Sequence, residues 1–255
     1  MADLTVERAD GRRPDELRPI KYIRDFTHFA AGSVTVSMGD TMVLCTASVE
    51  DRIPPWLRYS GKGWVTAEYS LLPGSSPERV AREAAKGRQS GRTQEIQRLI
   101  GRSLRSVVDL VAMGEVQITV DCDVLSADGG TRTASVCGGF LALHDAFTRM
   151  VANGIIDKHP INSFLGSVSV GIVDALPMLD LAYSEDSRAE VDMNVVMTGE
   201  GRYVEIQGTA EGAPFTREEL DELLSFASKG IDEIISLEKD YVASEPEFRK
   251  ILTDH

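Results

Sequence analysis

Cysteine and long apolar runs are both scarce in this sequence. Three of the 255 residues are cysteines, and they are widely separated, with no CxxC spacing (Cys45, Cys122 and Cys137). A disulfide framework or a zinc site is therefore not expected, and a reducing cytoplasm is the expected location. No apolar run reaches the roughly 18 residues of a membrane span, and the polar N-terminus is unlike a signal peptide, so we expect no membrane partner.

Signatures of the common nucleophilic and nucleotide-binding enzymes are missing as well. The four histidines have no recognisable catalytic partner. His144 falls on the apolar face of a predicted helix, where we interpret it as a core residue. The sequence has no GxSxG turn, no GxxxxGK[ST] loop and no GxGxxG turn. A histidine-dependent triad, a P-loop and a dinucleotide-binding turn are therefore not indicated.

Positive charge is scarce overall but concentrated in one segment. The net charge of -13 argues against a polyanionic partner such as nucleic acid. Between residues 71 and 105, however, eight basic residues stand against three acidic ones. Such a segment could still bind a phosphate backbone, because screening limits the reach of each charge to about 8 to 10 Å. A solvated helix face or a subunit contact is the alternative interpretation of the same residues.

The sequence does contain a clear order of strands and helices. Alternation on both sides of Gly39-Asp40 predicts a β-hairpin. Further strands are predicted at about 64–72, 115–125, 164–173, 178–183, 190–198 and 202–210. Helices are predicted from Arg92 to Gly114, from about Arg132 to Val151, and from Thr216, which forms a capping box with Glu219. This order predicts an α+β fold, with mixed β-sheets backed by α-helices in βαβα units, and a single domain over residues 1–255.

Residues 73–91 are rich in proline, glycine, serine and charge, and predict a long exposed basic loop. Loops of this length in compact proteins are usually functional. Arg92 follows Ser90 and Gly91, ahead of the first turn and at the positive end of the predicted helix. The arginines at 98, 102 and 105 share the polar face of that helix, where a solvated or oligomer-contact role is the simpler interpretation.

The motif Gly129-Gly130-Thr131-Arg132 lies between a predicted strand and a predicted helix. Glycines let the backbone approach a ligand closely, the first N–H groups of a helix donate hydrogen bonds, and a guanidinium binds phosphate oxygens with two donors. The motif is therefore a candidate anion-binding nest. A glycine-rich turn with a surface arginine is the alternative.

Acidic residues form a second candidate site. In the predicted strand around 190–198, Asp192 and Asn194 share the face opposite the apolar residues, and Asp186 precedes them across a turn. Two such carboxylates could bind Mg²⁺, which accepts few protein ligands when phosphates and waters supply the others. An acidic turn in an acidic protein is the alternative. Together the candidate sites suggest metal-assisted phosphoryl transfer on a nucleic acid, but they do not identify the nucleophile.

Four long motifs resemble the bacterial ribonuclease PH family: SGRTQEIQRLIGRSLRSVVDL, VDCDVLSADGGTRTAS, LDLAYSEDSRAEVDMNVVMTG and VEIQGTAEGAPFTREEL. The segment from Arg13 to Asp51 is similar to the N-terminal part of the same family. The resemblance implies a phosphate-dependent 3′ to 5′ exoribonuclease, or tRNA nucleotidyltransferase, that trims tRNA precursors. Inorganic phosphate would attack the terminal phosphodiester and release nucleoside diphosphates, and the reverse reaction would extend RNA 3′ ends.

The resemblance also implies roles for individual residues. The family's phosphate-binding residues correspond to Arg92, Gly130, Thr131 and Arg132. Its two acidic residues associated with Mg²⁺, or alternatively Mn²⁺, correspond to Asp186 and Asp192, and its RNA-gripping loop contains Arg79 and Arg82. The related polynucleotide phosphorylase has a lysine where this chain has Asn194, so a third ligand is not implied.

Two further implications concern assembly and activity. The family forms hexameric rings built as trimers of dimers, so a homo-oligomer is expected. A non-catalytic ring subunit that only binds RNA, as in larger exosome-type rings, and a hydrolytic metal nuclease are the alternatives. The presence of both arginine sites and both aspartates favours an active phosphorolytic enzyme.

Overall fold

The alternating residues around Gly39-Asp40 form the predicted hairpin, which belongs to a five-stranded sheet. The computed structural model describes residues 8–212 and 214–251. The strands of this sheet are β1 (Ile20–Arg24), β2 (Gly32–Met38), β3 (Thr41–Glu50), β4 (Trp64–Leu71) and β5 (Gln117–Ser126). Their spatial order is β1-β2-β3-β5-β4. All neighbours are antiparallel except β4 and β5, which are parallel.

A second, four-stranded sheet is formed by the last third of the chain. Its strands are β6 (Leu165–Val173), β7 (Leu176–Leu179), β8 (Val191–Thr198) and β9 (Tyr203–Ala210), in the spatial order β7-β6-β8-β9. All its neighbouring strands are antiparallel. The helices are α1 (Gly91–Arg105), α2 (Thr131–Ala152), the short α3 (Tyr183–Asp186) and α4 (Arg217–Val242). The predicted capping box is present at the start of α4.

Helix α2 packs against strands of both sheets, and most of its residues are buried. At Gly138 the first sheet comes so close that a Cβ atom would lie 2.6 Å from Val36 Cγ1 and 2.8 Å from Cys45 Sγ. One cluster of buried apolar residues includes side chains of both sheets and of α1, α2 and α4. Helix α2 therefore joins the two sheets through a common core.

Helix α1 is shorter than the periodicity predicts, because it ends at Arg105 instead of Gly114. Beyond it, the Asp109 N–H donates to Pro160 O at 2.8 Å and the Asn162 N–H donates to Val107 O at 3.0 Å. The β-branched pair Val107 and Val108 favours this extended pairing over another helical turn. Both valines are buried as the pattern requires, whereas Val111 is exposed.

The strand predicted at 178–183 is wrong beyond Leu179. Strand β7 ends at Leu179, and Asp180 adopts a left-handed conformation with φ +54°. Aspartate tolerates this conformation better than most residues. The turn lets the chain enter α3, which the sequence predicts only as a loop. No helix in the described ranges combines the length and apolar character needed to cross a membrane.

Candidate active site

A cavity of about 590 Å³ lies where the N-termini of α1 and α2 meet α3 and β8. It contains most of the residues predicted from the sequence. These are Arg79, Arg92, Gly130, Thr131, Arg132, Asp186 and Asp192, with Asn194 beside them. The phosphate-binding and acidic candidates, which are far apart in the sequence, therefore border the same space.

The loop before α2 has the backbone conformation of an anion-binding nest. Gly129 and Gly130 have φ values of +74° and +65°, and Gly130 is the N-cap of α2 without a side-chain cap. Within the described ranges, nothing accepts a hydrogen bond from the backbone N–H groups of Thr131 and Arg132. The loop itself is fixed, since the Thr41 hydroxyl donates to Gly129 O at 2.6 Å and accepts from the Asp128 N–H at 2.9 Å. These free N–H groups, at the positive end of a long helix, can bind an anion.

The two arginines of the cavity come from two helix N-termini. Arg132 lies in the first turn of α2, and its Nη1 donates to Gln207 Oε1 of β9 at 2.8 Å. Arg92 lies inside the first turn of α1 and not ahead of it, because the helix begins at Gly91 with Ser90 as its N-cap. In the described part of the chain, no carboxylate forms an ion pair with Arg92 or Arg132. Both guanidinium groups are therefore available to an anionic ligand.

The two aspartates are partly buried, and the charge of Asp186 acts on Asp192. Burial and the charge of Asp186 raise the pKa of Asp192 to about 6, although Arg132 and Arg92 oppose this shift. Burial also raises the pKa of Asp186, again against the two arginines. Asp192 lies on the strand face opposite the buried Val191 and Met193, as the alternation predicts. Close carboxylates of this kind are stabilised in their charged form by a divalent cation.

A metal ion bound here would have few protein ligands. In residues 8–212 and 214–251, no group of three or more His, Cys, Asp and Glu side chains has a suitable arrangement for a metal. Asp186 and Asp192 alone fit the sparse ligation of Mg²⁺ in phosphate-transfer sites, where waters and phosphate oxygens complete the coordination shell. Asn194, which is 6% exposed, borders the same cavity as a neutral residue.

The two arginines of the predicted RNA-gripping loop border different cavities. Arg79 borders the first cavity, whereas Arg82 borders an adjoining one of about 710 Å³ that also contains Glu68, Asp121 and Asp123. The loop between β4 and α1 thus passes over both cavities, and most of its residues are exposed, as predicted.

The arginines on the polar face of α1 differ in their surroundings. Arg102 pairs with Glu205 at 2.5 Å, and the Arg105 guanidinium lies 4.2 Å from the centre of the Trp64 ring. Arg105 also donates to Val65 O at 2.7 Å. Arg98 and Arg102 are exposed, in agreement with the predicted solvated or oligomer-contact face, whereas Arg105 is only partly exposed.

Two residues at this site were missed by the sequence interpretation. Gln207 orients Arg132, and the Tyr69 hydroxyl lies 2.8 Å from Thr131 Oγ1. Both belong to strands, where they look like ordinary members of an alternating pattern. Local sequence patterns do not reveal these residues, because their roles depend on how the two sheets place β4 and β9 beside the N-terminus of α2.

Family models match both halves of the chain. Residues 16–148 match the model described as 3′ exoribonuclease family, domain 1, and residues 163–230 match domain 2 of the same family. The chain belongs to the ribonuclease PH-type 3′ exoribonuclease family. The Ribonuclease PH of Syntrophomonas wolfei subsp. wolfei is 57% identical over 234 residues, which cover 92% of this chain and 98% of that protein.

Solved structures of ribonuclease PH-type proteins have the same fold. A chain of the Archaeoglobus fulgidus exosome, solved with RNA bound to the active site, is 23% identical, with a TM-score of 0.79 over 91% of this chain and 92% of that chain. Rice (Oryza sativa) Rrp46 is 18% identical, with a TM-score of 0.74 over 92% of this chain and 100% of that one. The predicted family, mixed α+β fold and enzyme class, a phosphorolytic 3′ exoribonuclease, are thereby confirmed.

Proposed function

We propose that the cavity between α1, α2, α3 and β8 is the active site of this phosphorolytic 3′ to 5′ exoribonuclease. The proposal rests on one observation: two arginines at helix N-termini, without a carboxylate partner among the described residues, border the same space as Asp186 and Asp192. The substrates are inorganic phosphate and RNA, with the 3′ ends of tRNA precursors as the main target. The products are nucleoside diphosphates and a shortened RNA, and the reverse reaction extends RNA 3′ ends.

The attacking phosphate binds in the nest. Arg92 and Arg132 neutralise its charge, while the N–H groups of Thr131 and Arg132 orient it for in-line attack. A hydrogen bond to Gln207 holds the Arg132 guanidinium in position. A hydrogen bond to Thr131 holds the Tyr69 hydroxyl in position. Repulsion between the incoming phosphate and the phosphodiester is thereby offset before the reaction begins.

The reaction needs no general base from the protein. An oxygen of hydrogen phosphate forms the new bond to the terminal phosphorus, and the bond from that phosphorus to the 3′ oxygen breaks. The proton of hydrogen phosphate accounts for the proton that the released 3′ hydroxyl gains. Phosphate is already a charged nucleophile at neutral pH, which is consistent with a cavity whose described lining residues include no histidine.

Asp186 and Asp192 would hold Mg²⁺, or alternatively Mn²⁺, beside the scissile phosphate. The metal ion, when bound, supplies positive charge to the phosphate groups. The residues fit this role because two carboxylates with raised pKa values border a cavity that also contains arginines. Asn194 is near enough to the site to contact the RNA or a water but has no charge to contribute.

The basic loop guides the RNA 3′ end towards the cavity. Arg79 borders the cavity directly, and Arg82 lies further along the same loop, at the second cavity. Such arginines bind the phosphate backbone without reading the base sequence. Other RNA 3′ ends, including those of rRNA, can follow the same route.

Features outside the cavity support three further proposals: that the enzyme forms a ring, that it has a single domain, and that it works in the cytoplasm. Exposed aromatic residues such as Phe26, Phe29 and Trp56 offer contact surfaces for a homo-oligomer, which we propose to be a hexamer built as a trimer of dimers. The common core of both sheets supports a single domain. All three cysteines are buried free thiols, consistent with a reducing cytoplasm.

One experiment separates this function from the two alternatives. The protein is incubated with RNA, Mg²⁺ and radiolabelled inorganic phosphate, and the products are separated. We expect label in nucleoside diphosphates. Unlabelled nucleoside monophosphates would instead identify a hydrolytic nuclease, and RNA binding without any product would identify a non-catalytic subunit.

A further inference from the structure

Arg18 lies beneath the candidate active site, outside the set of residues predicted from the sequence. It is 4% exposed. Three of its donors bind the Asp180 carboxylate: the backbone N–H and Nε at 2.8 and 3.0 Å from Oδ2, and Nη2 at 2.7 Å from Oδ1. On the other side of the guanidinium, Nη1 donates to the carbonyl oxygen of Asp128. One buried side chain therefore joins Asp180 to the loop before α2.

The two segments that Arg18 joins lead directly into the two halves of the site. Asp128 precedes the nest, and Asp180 precedes α3, which carries Asp186. The two segments also touch each other, because the Tyr183 N–H donates to Asp128 Oδ1 at 3.2 Å. At Gly129 a Cβ atom would lie 2.5 Å from Leu181 O. The nest and α3 are thus in contact, and Arg18 is hydrogen-bonded to a residue that precedes each of them.

The conformation of Asp180 depends on this surrounding network. Its left-handed backbone is unfavourable by about 1 kcal/mol for a residue with a Cβ atom. Its N–H donates to Ser169 O at 2.7 Å, and its carbonyl accepts from Arg8 and Arg12 at 2.9 and 3.1 Å. Burial raises the pKa of Asp180, but the hydrogen bonds and charge of Arg18 outweigh it, so the pKa lies below its ordinary value. The partner of Arg18 is therefore ionised at neutral pH.

We propose that Arg18 is a positioning residue that sets, through Asp180 and the Asp128 carbonyl, the spacing between the phosphate nest and Asp186. The inference rests on the proposed function of the cavity. Phosphoryl transfer requires its groups within about 0.5 Å of the productive geometry. Arginine suits the role because its planar fork binds a carboxylate with two donors and a carbonyl with a third, whereas lysine has a single compact charge.

The test compares two full-length variants that each lose a buried arginine. Arg18→Lys removes the bridge, and Arg149→Lys is the matched control. Arg149 is 1% exposed, binds Asp25 at 2.7 and 2.9 Å and the Ala31 carbonyl at 2.7 Å, and lies near the other end of α2. Phosphorolysis is measured with phosphate and Mg²⁺ varied separately, and RNA affinity is measured without either.

For Arg18→Lys we expect the KM for phosphate and the half-saturating Mg²⁺ concentration to rise together, each by at least about fivefold, with RNA affinity within about twofold. For Arg149→Lys we expect all three values within about twofold of the wild type. Equal effects in both variants would overturn the inference, as would a change in only the phosphate or only the Mg²⁺ dependence. If Arg18→Lys does not fold, Asp180→Asn, which keeps the side-chain shape, is subject to the same expectations.

Failure of this inference is distinguishable from failure of the proposed function. A wild-type protein without phosphate-dependent activity would contradict the function itself. A wild-type enzyme that responds to phosphate, loses that response in Arg132→Ala and is unaffected by Arg18→Lys would contradict only the positioning role.

Discussion

At the scale of single residues, we expect Arg92 and Arg132 to determine how strongly the enzyme depends on phosphate. Neither guanidinium has a carboxylate partner in the described ranges, so their charge is available to the ligand. A hydrogen bond to a charged group contributes about 1.5 to 3 kcal/mol. The loss of one arginine should therefore weaken phosphate binding without changing the contacts of the RNA with the loop.

We expect Arg92→Ala to raise the KM for phosphate by about 10- to 100-fold, the change that corresponds to this energy. Steady-state phosphorolysis and RNA binding are measured on the same preparations. Arg217→Ala is the control, because Arg217 is an exposed arginine of α4 that pairs with Asp221. An Arg92→Ala enzyme with the wild-type KM for phosphate would remove Arg92 from the role proposed here.

Glu238 offers a residue-scale test of stability. It is fully buried in α4, neither carboxyl oxygen has a hydrogen-bond partner among the described residues, and burial raises its pKa well above its ordinary value of 4.5. The folded state therefore holds a proton that the unfolded state releases. The resulting contribution to stability is present below pH 4.5 and is lost as the pH rises towards the folded-state pKa.

Glu238→Gln keeps the shape of the side chain but removes this titration. We expect the variant to gain stability relative to the wild type as the pH increases from about 5 to about 8, measured by chemical denaturation. The free-energy difference between the two proteins should grow over this range. A difference that is independent of pH would mean that Glu238 is not protonated in the folded protein.

At the scale of secondary-structure elements, the sequence predicts most of what the structure contains. The hairpin, β4, β5, α2 and the start of α4 follow from periodicity, turn residues and caps, because those signals are local. The nest is equally local, since Gly130 and Arg132 are near neighbours. The end of α1 is different. Residues 107–109, which the periodicity assigns to the helix, instead form backbone hydrogen bonds with residues 160–162, which are distant in the sequence.

The same holds for the site: residues that belong to a local motif can be predicted from the sequence, whereas residues that act through distant contacts cannot. Asp186, Asp192 and the nest are visible as motifs, whereas Gln207 and Arg18 act through contacts across the sheets or the chain. The separation of Arg79 from Arg82 is likewise a consequence of the path of the loop. Residues that position others carry no motif of their own, so the structure is needed to find them.

The loop between β4 and α1 yields a prediction at this scale. Each phosphate contact with single-stranded nucleic acid contributes about 0.7 to the slope of log affinity against log salt concentration. This slope is negative, and we therefore expect replacement of both Arg79 and Arg82 by alanine to make it less negative by about 1.4. RNA affinity is measured over a salt series, with Arg217→Ala as the control. An unchanged slope would show that the loop does not contact the RNA backbone.

At the scale of the whole molecule, the active site depends on the junction between the two sheets. The nest follows β5 of the first sheet, and Asp192 belongs to β8 of the second. Helix α2 begins at the nest and packs against both sheets. A shift of one sheet against the other would therefore change the distance between the nest and Asp192.

A shared core of this kind should unfold as one unit. Of the two tryptophans, Trp64 begins β4 of the first sheet and Trp56 packs against its ring, so their fluorescence reports on that half. Far-UV circular dichroism reports on the second half as well, including α4. We expect the two signals to show coincident denaturation curves at a fixed protein concentration. Two separated transitions would contradict the single domain.

Gly138 and Gly139 of α2 provide a matched pair for the same question. A Cβ atom at Gly138 would meet Val36 Cγ1 at 2.6 Å, whereas one at Gly139 would lie 3.3 Å from the nearest atom, Val120 Cγ1. Overpacking of a core costs about 1 to 3 kcal/mol. We expect Gly138→Ala to lower the free energy of unfolding by this amount and to shift both the fluorescence and the dichroism curves to lower denaturant concentration. Gly139→Ala should have a smaller effect, because the crowding is milder and alanine favours the helix. If Gly138→Ala shifted only the fluorescence curve, the second sheet would be stable without α2 in place, and the junction could not hold the two halves of the active site together.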